Sequence, residues 1–258
     1  MAAPDRSPAA AKRLLILGGT AEGAAIARKA TTQFAGRLHV ISSLAGRRAA
    51  LPDLPGEVRV GGFGGADGLA RYLREACIDY LVDATHPFAA TMSGNAYDAC
   101  ERTGLPRIRF ERPLWTLPLG GRWVEAADTS RAAEILPTIA ARAFLTTGVG
   151  ELGAFSKVTG VRFLVRLMDQ PSVPPPLADC TLVIGKPPFS LASERALLLE
   201  HRIDTLVTKH SGGDGTEAKI KAAMELGVRI LLIRRPPAPP GESATSTDAV
   251  IAWIQARL

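Results

Sequence analysis

The sequence predicts an α/β protein made of two parallel-sheet units, and three observations carry that expectation. Short apolar runs alternate with alanine-rich, helix-competent segments along most of the chain, the pattern of parallel strands joined by crossover helices. Aromatic residues make up only 5% of the chain and apolar residues 47%, so Ala, Leu, Val and Ile supply most of the packing, as in sheets covered on both faces. The alternation breaks once near the middle and then resumes. A chain of 258 residues suits two modest cores at roughly 100 to 200 residues per domain.

Leu14 to Leu17 is apolar and is ended by Gly18 and Gly19, and Glu22 to Ala30 has a helical composition, so the opening reads strand, glycine turn, helix. Strands are expected next at Leu38 to Ile41 and Val58 to Val60, then a helix at Ala66 to Ala76 and a strand at Tyr80 to Val82. A helix at Ala89 to Arg102 and a strand at Arg107 to Phe110 complete the first half. From Glu111 to Arg122 the text ERPLWTLPLGGR holds two prolines and paired glycines, which make a helix or long strand improbable and mark a hinge. The alternation then resumes with strand Trp123 to Glu125, helix Ser130 to Ala141, and strands Ala143 to Thr146, Val161 to Arg166 and Thr181 to Ile184. Helix Leu191 to Glu200, strand Thr205 to Val207, helix Glu217 to Leu226, strand Arg229 to Ile233 and a closing helix from Thr247 follow. The expected division is a loose tail over 1–13, a coenzyme-binding unit over 14–114 and a substrate-binding unit over 115–258. The proline-rich pieces PSVPPP and RRPPAPPG are stiff connectors.

Several function classes are disfavoured early. No apolar run approaches the ~18 to 20 residues that cross a bilayer, and the basic start lacks the apolar stretch of a signal peptide. A soluble, cytoplasmic protein with no membrane partner is expected. Cys77, Cys100 and Cys180 are an odd set without metal-ligand spacing, so neither a disulfide framework nor a metal site is expected. Lys and Arg number 31 against 25 Asp and Glu, a net charge of +6, but no block of like charges or aromatic stacking platform favours nucleic acid. An acidic small molecule is the better partner for this charge.

GGTAEG, from Gly18 to Gly23, falls where a first βα turn belongs. Glycines there let the backbone approach a pyrophosphate while the helix start offers N–H donors. Adjacent first glycines depart from the usual GxGxxG spacing, and a simple tight turn is the competing reading. Beyond the second strand the text is SSLAGRR, Ser42 to Arg48, with no carboxylate to repel a phosphate and two guanidiniums close by, which favours NADPH over NADH. GGFGG, from Gly61 to Gly65, is suited to line the adenosine side or to be a mobile loop. DATHPF, from Asp83 to Phe88, ends the fourth strand, at the edge where open α/β sheets bind ligands. Thr85 and His86 are therefore expected toward the nicotinamide, with His86 either a proton donor or simply a hydrogen-bonding, structural histidine, and Asp83 a turn or cap residue.

Cations gather with glycines in the second half: Lys186 in GKPPFS, and Lys209, His210 and Lys219 in TKHSGGDGTEAKIKAA. Each group follows an apolar strand, so they are expected to converge on a cleft for a polyanion. A solvated helix face is the expectation for Lys221, and a strand-end site for Lys209.

Together ILGGTAEG, SLAGR, GGFGG, DATHPFA, RFERPLW, GKPPFS and TKHSGGDGTEAKIKAA, in this order, resemble the precorrin-6A reductase (CobK) family of cobalamin biosynthesis, from about Leu14 to Pro236. The resemblance implies two Rossmann-like domains with their last strands exchanged, and NADPH-dependent reduction of a ring double bond of precorrin-6A to give precorrin-6B. It implies that Gly18, Gly19, Thr20, Ala21 and Glu22 face the pyrophosphate and that Ser43 and Arg47 hold the 2′-phosphate. Gly62 and Phe63 would flank the coenzyme, with Thr85 and His86 near the nicotinamide. Arg109, Arg112, Lys186, Lys209 and Lys219 are the expected ligands of substrate carboxylates, assisted by Ser190, Ser211 and Gly212. Hand-over of product to the next pathway enzyme is implied as well. The rival readings are a cobalt-precorrin-6A reductase, a nucleotide-sugar or adenosylmethionine-dependent transferase, and a carrier that binds tetrapyrrole or nucleotide without turnover.

Overall fold

The computed structural model describes residues 11–46, 53–117 and 121–258. Arg47, expected at the phosphate, lies outside the described residues, as does most of the tail expected over 1–13.

The chain begins with β1 (Lys12–Leu17), α1 (Ala21–Gln33), β2 (Leu38–Leu44), β3 (Glu57–Val60), α2 (Gly65–Glu75), β4 (Tyr80–Asp83), α3 (Ala90–Thr103) and β5 (Arg107–Phe110). It continues with β6 (Trp123–Ala126), α4 (Thr129–Ile139), β7 (Arg142–Leu145), β8 (Arg162–Leu167) and β9 (Cys180–Ile184). Next come α5 (Leu191–Glu200), β10 (Thr205–Lys209), α6 (Ala218–Glu225), β11 (Arg229–Ile233), β12 (Ser243–Ala244) and α7 (Thr247–Gln255). A short 3₁₀ segment, Val149–Phe155, follows β7.

The strands form two six-stranded sheets, ordered β3-β2-β1-β4-β5-β12 and β9-β8-β7-β10-β11-β6. All the pairings are parallel. This is the doubly wound order, with a reversal between β1 and β4 in one sheet and between β7 and β10 in the other. At these reversals the loops leaving the carboxyl ends diverge and open a crevice.

The sixth strands are exchanged, as the resemblance implies. β6 follows β5 in sequence but pairs with β11, and β12 follows β11 but pairs with β5. The units accordingly comprise the residues up to Arg112 with Pro237–Leu258, and Pro113–Pro236. The last 22 residues therefore do not belong to one continuous unit over 115–258. The cause is burial: Val250, Ile251, Trp253 and Ile254 of α7 pack in one cluster with Ile26, Ala27 and Ala30 of α1 and Ile108 of β5. Trp253 also meets Tyr80 edge-on at 6.2 Å. Helix α1 supplies its side of this core at the spacing Gly23, Ile26, Ala27, Ala30, the stripe of an amphipathic helix. The opposite face of the first sheet is covered by α2 and α3 through Leu69, Leu73, Ala96 and Ala99. In the second unit, Phe144, Leu164, Leu206, Ile220, Ile230 and Leu232 form the corresponding core.

No helix among the described residues is long and apolar enough to cross a membrane.

Ile254→Ala, at a position with no exposed surface, is expected to cost about 2 to 5 kcal/mol of first-unit stability. Urea unfolding followed through Trp253, the first unit's sole tryptophan, reads this; a loss well below 1 kcal/mol would deny α7 its structural place.

Candidate coenzyme and anion sites

In the first unit the reversal falls between the glycine loop after β1 and the DATHPF loop after β4. Gly19 has φ +103°, open to glycine and strained for any other residue. Gly23 lies so close that a side chain there would meet Gly18 Cα at 3.3 Å and Ala84 Cβ at 3.4 Å, so α1 packs tightly over the strand ends. Thr20 is the N-cap of α1: its Oγ1 accepts from Gly23 N at 3.0 Å and donates to Ala84 O at 2.8 Å. The Thr20 hydroxyl thus has both a capping and a cross-loop task. What the loop offers an anion is backbone, with Ala21 and Glu22 among the early N–H groups that lack intrahelical acceptors. The Glu22 carboxylate is held aside by Arg112, Nη2 to Oε2 2.6 Å.

Ser43 and Arg59 are register partners at the carboxyl ends of β2 and β3, so their side chains share a face. Arg59 Nη1 donates to Ser43 Oγ at 3.3 Å and to Gly61 O at 2.6 Å, and Nη2 donates to Gly62 O at 2.7 Å. Its guanidinium lies 3.7 Å from the Phe63 ring centroid. The GGFGG loop is therefore wrapped around Arg59, and the Gly62 carbonyl and Phe63 ring are engaged with it. Sequence reasoning missed Arg59. The only signal was an arginine near the end of a short strand, and its proximity to Ser43 emerges only from strand register.

At the end of β4, Asp83 is 1% exposed, and its Oδ1 accepts from Thr85 N at 3.2 Å and Thr85 Oγ1 at 2.7 Å. It is the turn residue that the sequence suggests. Ser93 Oγ stands 3.2 Å from Thr85 Oγ1. His86 is exposed, and its Nδ1 accepts from Phe88 N at 3.2 Å, so the neutral ring carries its proton on Nε2. Arg109 donates to Glu111 at 2.8 Å.

In the second unit, Lys209 ends β10 and pairs with Glu151 at 2.9 Å, while Thr129 donates to the other carboxylate oxygen at 2.8 Å. Burial works to raise the Glu151 carboxyl, but the bonds from Lys209 and Thr129 and the Lys209 charge outweigh it and hold it below the usual range. The adjoining loop is clamped by Trp115. Its Nε1 donates to Gly213 O at 2.9 Å, its carbonyl meets His210 Nε2 at 3.3 Å, and its ring stacks on His210 at 5.8 Å. Burial pushes the His210 imidazole down, partly offset by that carbonyl. Arg235 donates to the carbonyls of His210 and Ser211, and Gly212, φ +65°, leaves no room for a side chain because Pro113 O would lie 2.0 Å from it. Ser211 and Gly212 thus serve in a rigid turn that presses on the RPLW segment. The expected hinge is in this part a fixed strap: Trp115 is buried at 6% exposure.

Lys219, on α6, is 7% exposed and lies 5.7 Å from the Trp115 ring centroid, with no acidic group within ion-pair reach among the described residues. Burial depresses its amine to about 8, opposed by Glu194 and aided by Arg166. Glu194, 1% exposed, is bound by both Arg166 Nη atoms at 2.5 and 3.0 Å. Lys221 instead pairs with Glu217 at the surface.

Lys186 follows β9 and pairs with Asp169 at 3.0 Å. Two strands separate β9 from β10, roughly 14 Å at normal strand spacing, so the Lys186 main chain does not adjoin the Lys209 loop. Ser190 caps α5, with Oγ accepting from Ser193 N at 3.0 Å, so its hydroxyl has a structural task. Arg109 and Arg112 belong to the first unit, and the remaining expected substrate ligands to the second.

Fold and site define a doubly wound α/β protein with a nucleotide-type glycine loop in one unit and a cation-bearing loop in the other. Residues 13–255 match the model of the family described as precorrin-6x reductase CbiJ/CobK, and the chain belongs to that family. It is therefore an oxidoreductase, and membership of this reductase family implies a nicotinamide coenzyme. A precorrin-6A reductase of Rhodococcus erythropolis is 48% identical over 94% of this chain and 97% of its own length. One of Rhodobacter capsulatus is 40% identical, covering 94% and 95%. The solved structure titled CobK precorrin-6A reductase superposes with a TM-score of 0.89 at 40% identity, covering 95% of this chain and 96% of that one.

The buried amine yields a pH signature. Lys219 is charged at a cost in the folded state below pH about 8, whereas an unfolded lysine keeps its proton to ~10.4. Between those values the unfolded chain binds more protons, so stability rises with pH. Relative to Lys219→Met, the wild-type protein is expected to gain stability as pH is raised from 8 to 10. A parallel pH dependence of the two proteins in denaturant titrations would contradict this.

Proposed function

We propose that the protein reduces precorrin-6A to precorrin-6B with NADPH, in the cytoplasm, and passes the product to the next enzyme of cobalamin biosynthesis. Bound beside the glycine loop, the coenzyme would supply hydride to one carbon of a ring double bond, and a proton would join the neighbouring carbon. The coenzyme supplies the hydride chemistry, and the protein binds, orients and excludes competing reactions.

The observation that carries the NADPH reading is the end of β2. Ser42 to Gly46 contains no carboxylate to grip a ribose diol, and Arg59 stands beside Ser43. Arg59 has five N–H donors, of which three are used among the described residues; Nε and one hydrogen of Nη2 would serve a phosphate. Ser43 accepts from Arg59, so its own proton is available to the same anion. Gly19, Ala21 and Glu22 contribute backbone to the pyrophosphate, and Thr85 and His86 face the nicotinamide.

Arg109, Arg112, Lys186, Lys209 and Lys219 hold the acetate and propionate groups of the macrocycle. The first four rest on internal carboxylates, which keeps them extended and desolvated in part, and substrate carboxylates take over from Glu111, Glu22, Asp169 and Glu151. His86 Nε2–H is the protein's candidate proton donor, with water as the alternative source.

Turnover is tested by mixing the protein, precorrin-6A and either NADPH or NADH and following absorbance at 340 nm. Preferential NADPH consumption is expected; binding without consumption would make the protein a carrier, and indifference to both would refute the reading. Arg59→Ala is expected to lower the preference for NADPH over NADH by about tenfold or more, the weight of a charge-assisted hydrogen bond. An unchanged ratio would remove Arg59 from the phosphate site. Lys209→Ala is expected to raise the KM for the tetrapyrrole several-fold while leaving that for NADPH in place, and equal changes in both would sink its assignment to substrate.

A further inference from the structure

We infer that Asp83 is a positioning residue that fixes the polarity of Thr85, so that the Thr85 hydroxyl meets the coenzyme as an acceptor for the nicotinamide carboxamide N–H2. The inference rests on the proposed coenzyme reading and adds to it a residue that does not itself touch the ligand.

The argument is one of proton placement. Asp83 Oδ1 receives the backbone N–H of Thr85 at 3.2 Å. An amide N–H only donates, so Oδ1 accepts there, as the oxygen that carries no proton does best. The second contact to the same oxygen, Thr85 Oγ1 at 2.7 Å, must then be a bond in which threonine donates. This commits the one hydroxyl proton of Thr85. Ser93, 9% exposed and 3.2 Å away, is left as donor to Thr85, and one Thr85 lone pair remains. A hydroxyl so placed rejects acceptors and accepts donors.

The location makes the polarity useful. Asp83 pairs in register with Leu17 of β1, so Thr85 leaves the sheet at the carboxyl edge beside the glycine loop, where doubly wound sheets bind their ligands. Thr85 is partly exposed whereas Asp83 is not. Among the substituents of a nicotinamide ring, only the carboxamide N–H2 is a hydrogen-bond donor. A carboxylate one shell behind the loop thereby selects the rotamer of that carboxamide, and with it the face of the ring turned outward.

Asp83 Oδ2 is buried without a hydrogen-bond partner among the described residues. Asparagine can therefore place its oxygen where Oδ1 is and its nitrogen in the Oδ2 position, keeping the Thr85 polarity. Alanine cannot.

The test compares dissociation constants of the full chain for NADP⁺ and for its 3-acetylpyridine analogue, in which a methyl group replaces the amide nitrogen. Wild type, Asp83→Asn and Thr85→Ser are expected to prefer the carboxamide by about fivefold, the weight of one neutral hydrogen bond. Asp83→Ala and Thr85→Val are expected to bring the ratio below about twofold, because the acceptor is released or removed. A purely structural role for Asp83 would weaken both ligands equally and leave the ratio alone, which overturns the inference. So does Thr85→Val retaining the ratio or Asp83→Asn losing it, and these two arms decide the matter if Asp83→Ala does not fold. Wild type binding both dinucleotides without discrimination overturns this inference alone, whereas wild type binding neither overturns the coenzyme reading with it.

Discussion

One hydroxyl group joins the two loops on which the coenzyme end of the molecule depends. Thr20 Oγ1 closes the first turn of α1 and at the same time binds the carbonyl of Ala84. The glycine loop after β1 and the DATHPF loop after β4 are thus held at fixed separation where the strand order reverses. Gly23 allows the approach, since any side chain there would press on Gly18 and Ala84. Because the threonine side chain is spent on this bridge, the groups the loop has free to offer an anion are backbone N–H donors. Those groups are rigid, so they lose little entropy on meeting a ligand.

The second unit meets a comparable demand with an aromatic. Trp115 holds both ends of the turn from His210 to Gly213 and lies against the amine of Lys219. This explains how a charged amine is kept in a mostly apolar setting: the ring face offers it partial stabilisation, and Glu194 lies near enough to favour its charged form. Glu194 itself is matched by Arg166, so the buried group as a whole carries excess positive charge. Among the described residues Lys219 has no carboxylate within ion-pair reach, in contrast to Lys209, whose charge is opposed by Glu151. The two lysines are held differently: Lys209 is paired with Glu151, whereas Lys219 is buried against the Trp115 ring.

The alternation of strands and helices was legible in the sequence to within about three residues at each end, because the apolar runs are short and most are ended by glycine, proline or a cap. The loops carrying GGTAEG and DATHPF were legible for the same reason, since their place at strand ends follows from local pattern. The exchange of β6 and β12 was not available from pattern. A two-residue strand such as Ser243–Ala244 has no periodicity, and its pairing with β5 is non-local, so only the family resemblance pointed to it. Within the segment Glu111 to Arg122 the burial of Trp115 was not legible, because proline and glycine content describes backbone preference and is blind to a side chain buried against a distant loop. Arg59 escaped notice because its contact with Ser43 depends on register. Thr20 and Ser190 are helix caps, a role that residue type alone does not separate from that of a binding hydroxyl.

The central claim is that the nicotinamide ring delivers hydride to the macrocycle while solvent or a side chain supplies the proton. Single turnover with NADPH carrying two deuterons at C4, followed by mass spectrometry and NMR of the tetrapyrrole, tests it most directly. One deuteron on a ring carbon of the product and one deuteron remaining in NADP⁺ is the required result. A reduced macrocycle whose new hydrogens both come from water would contradict it.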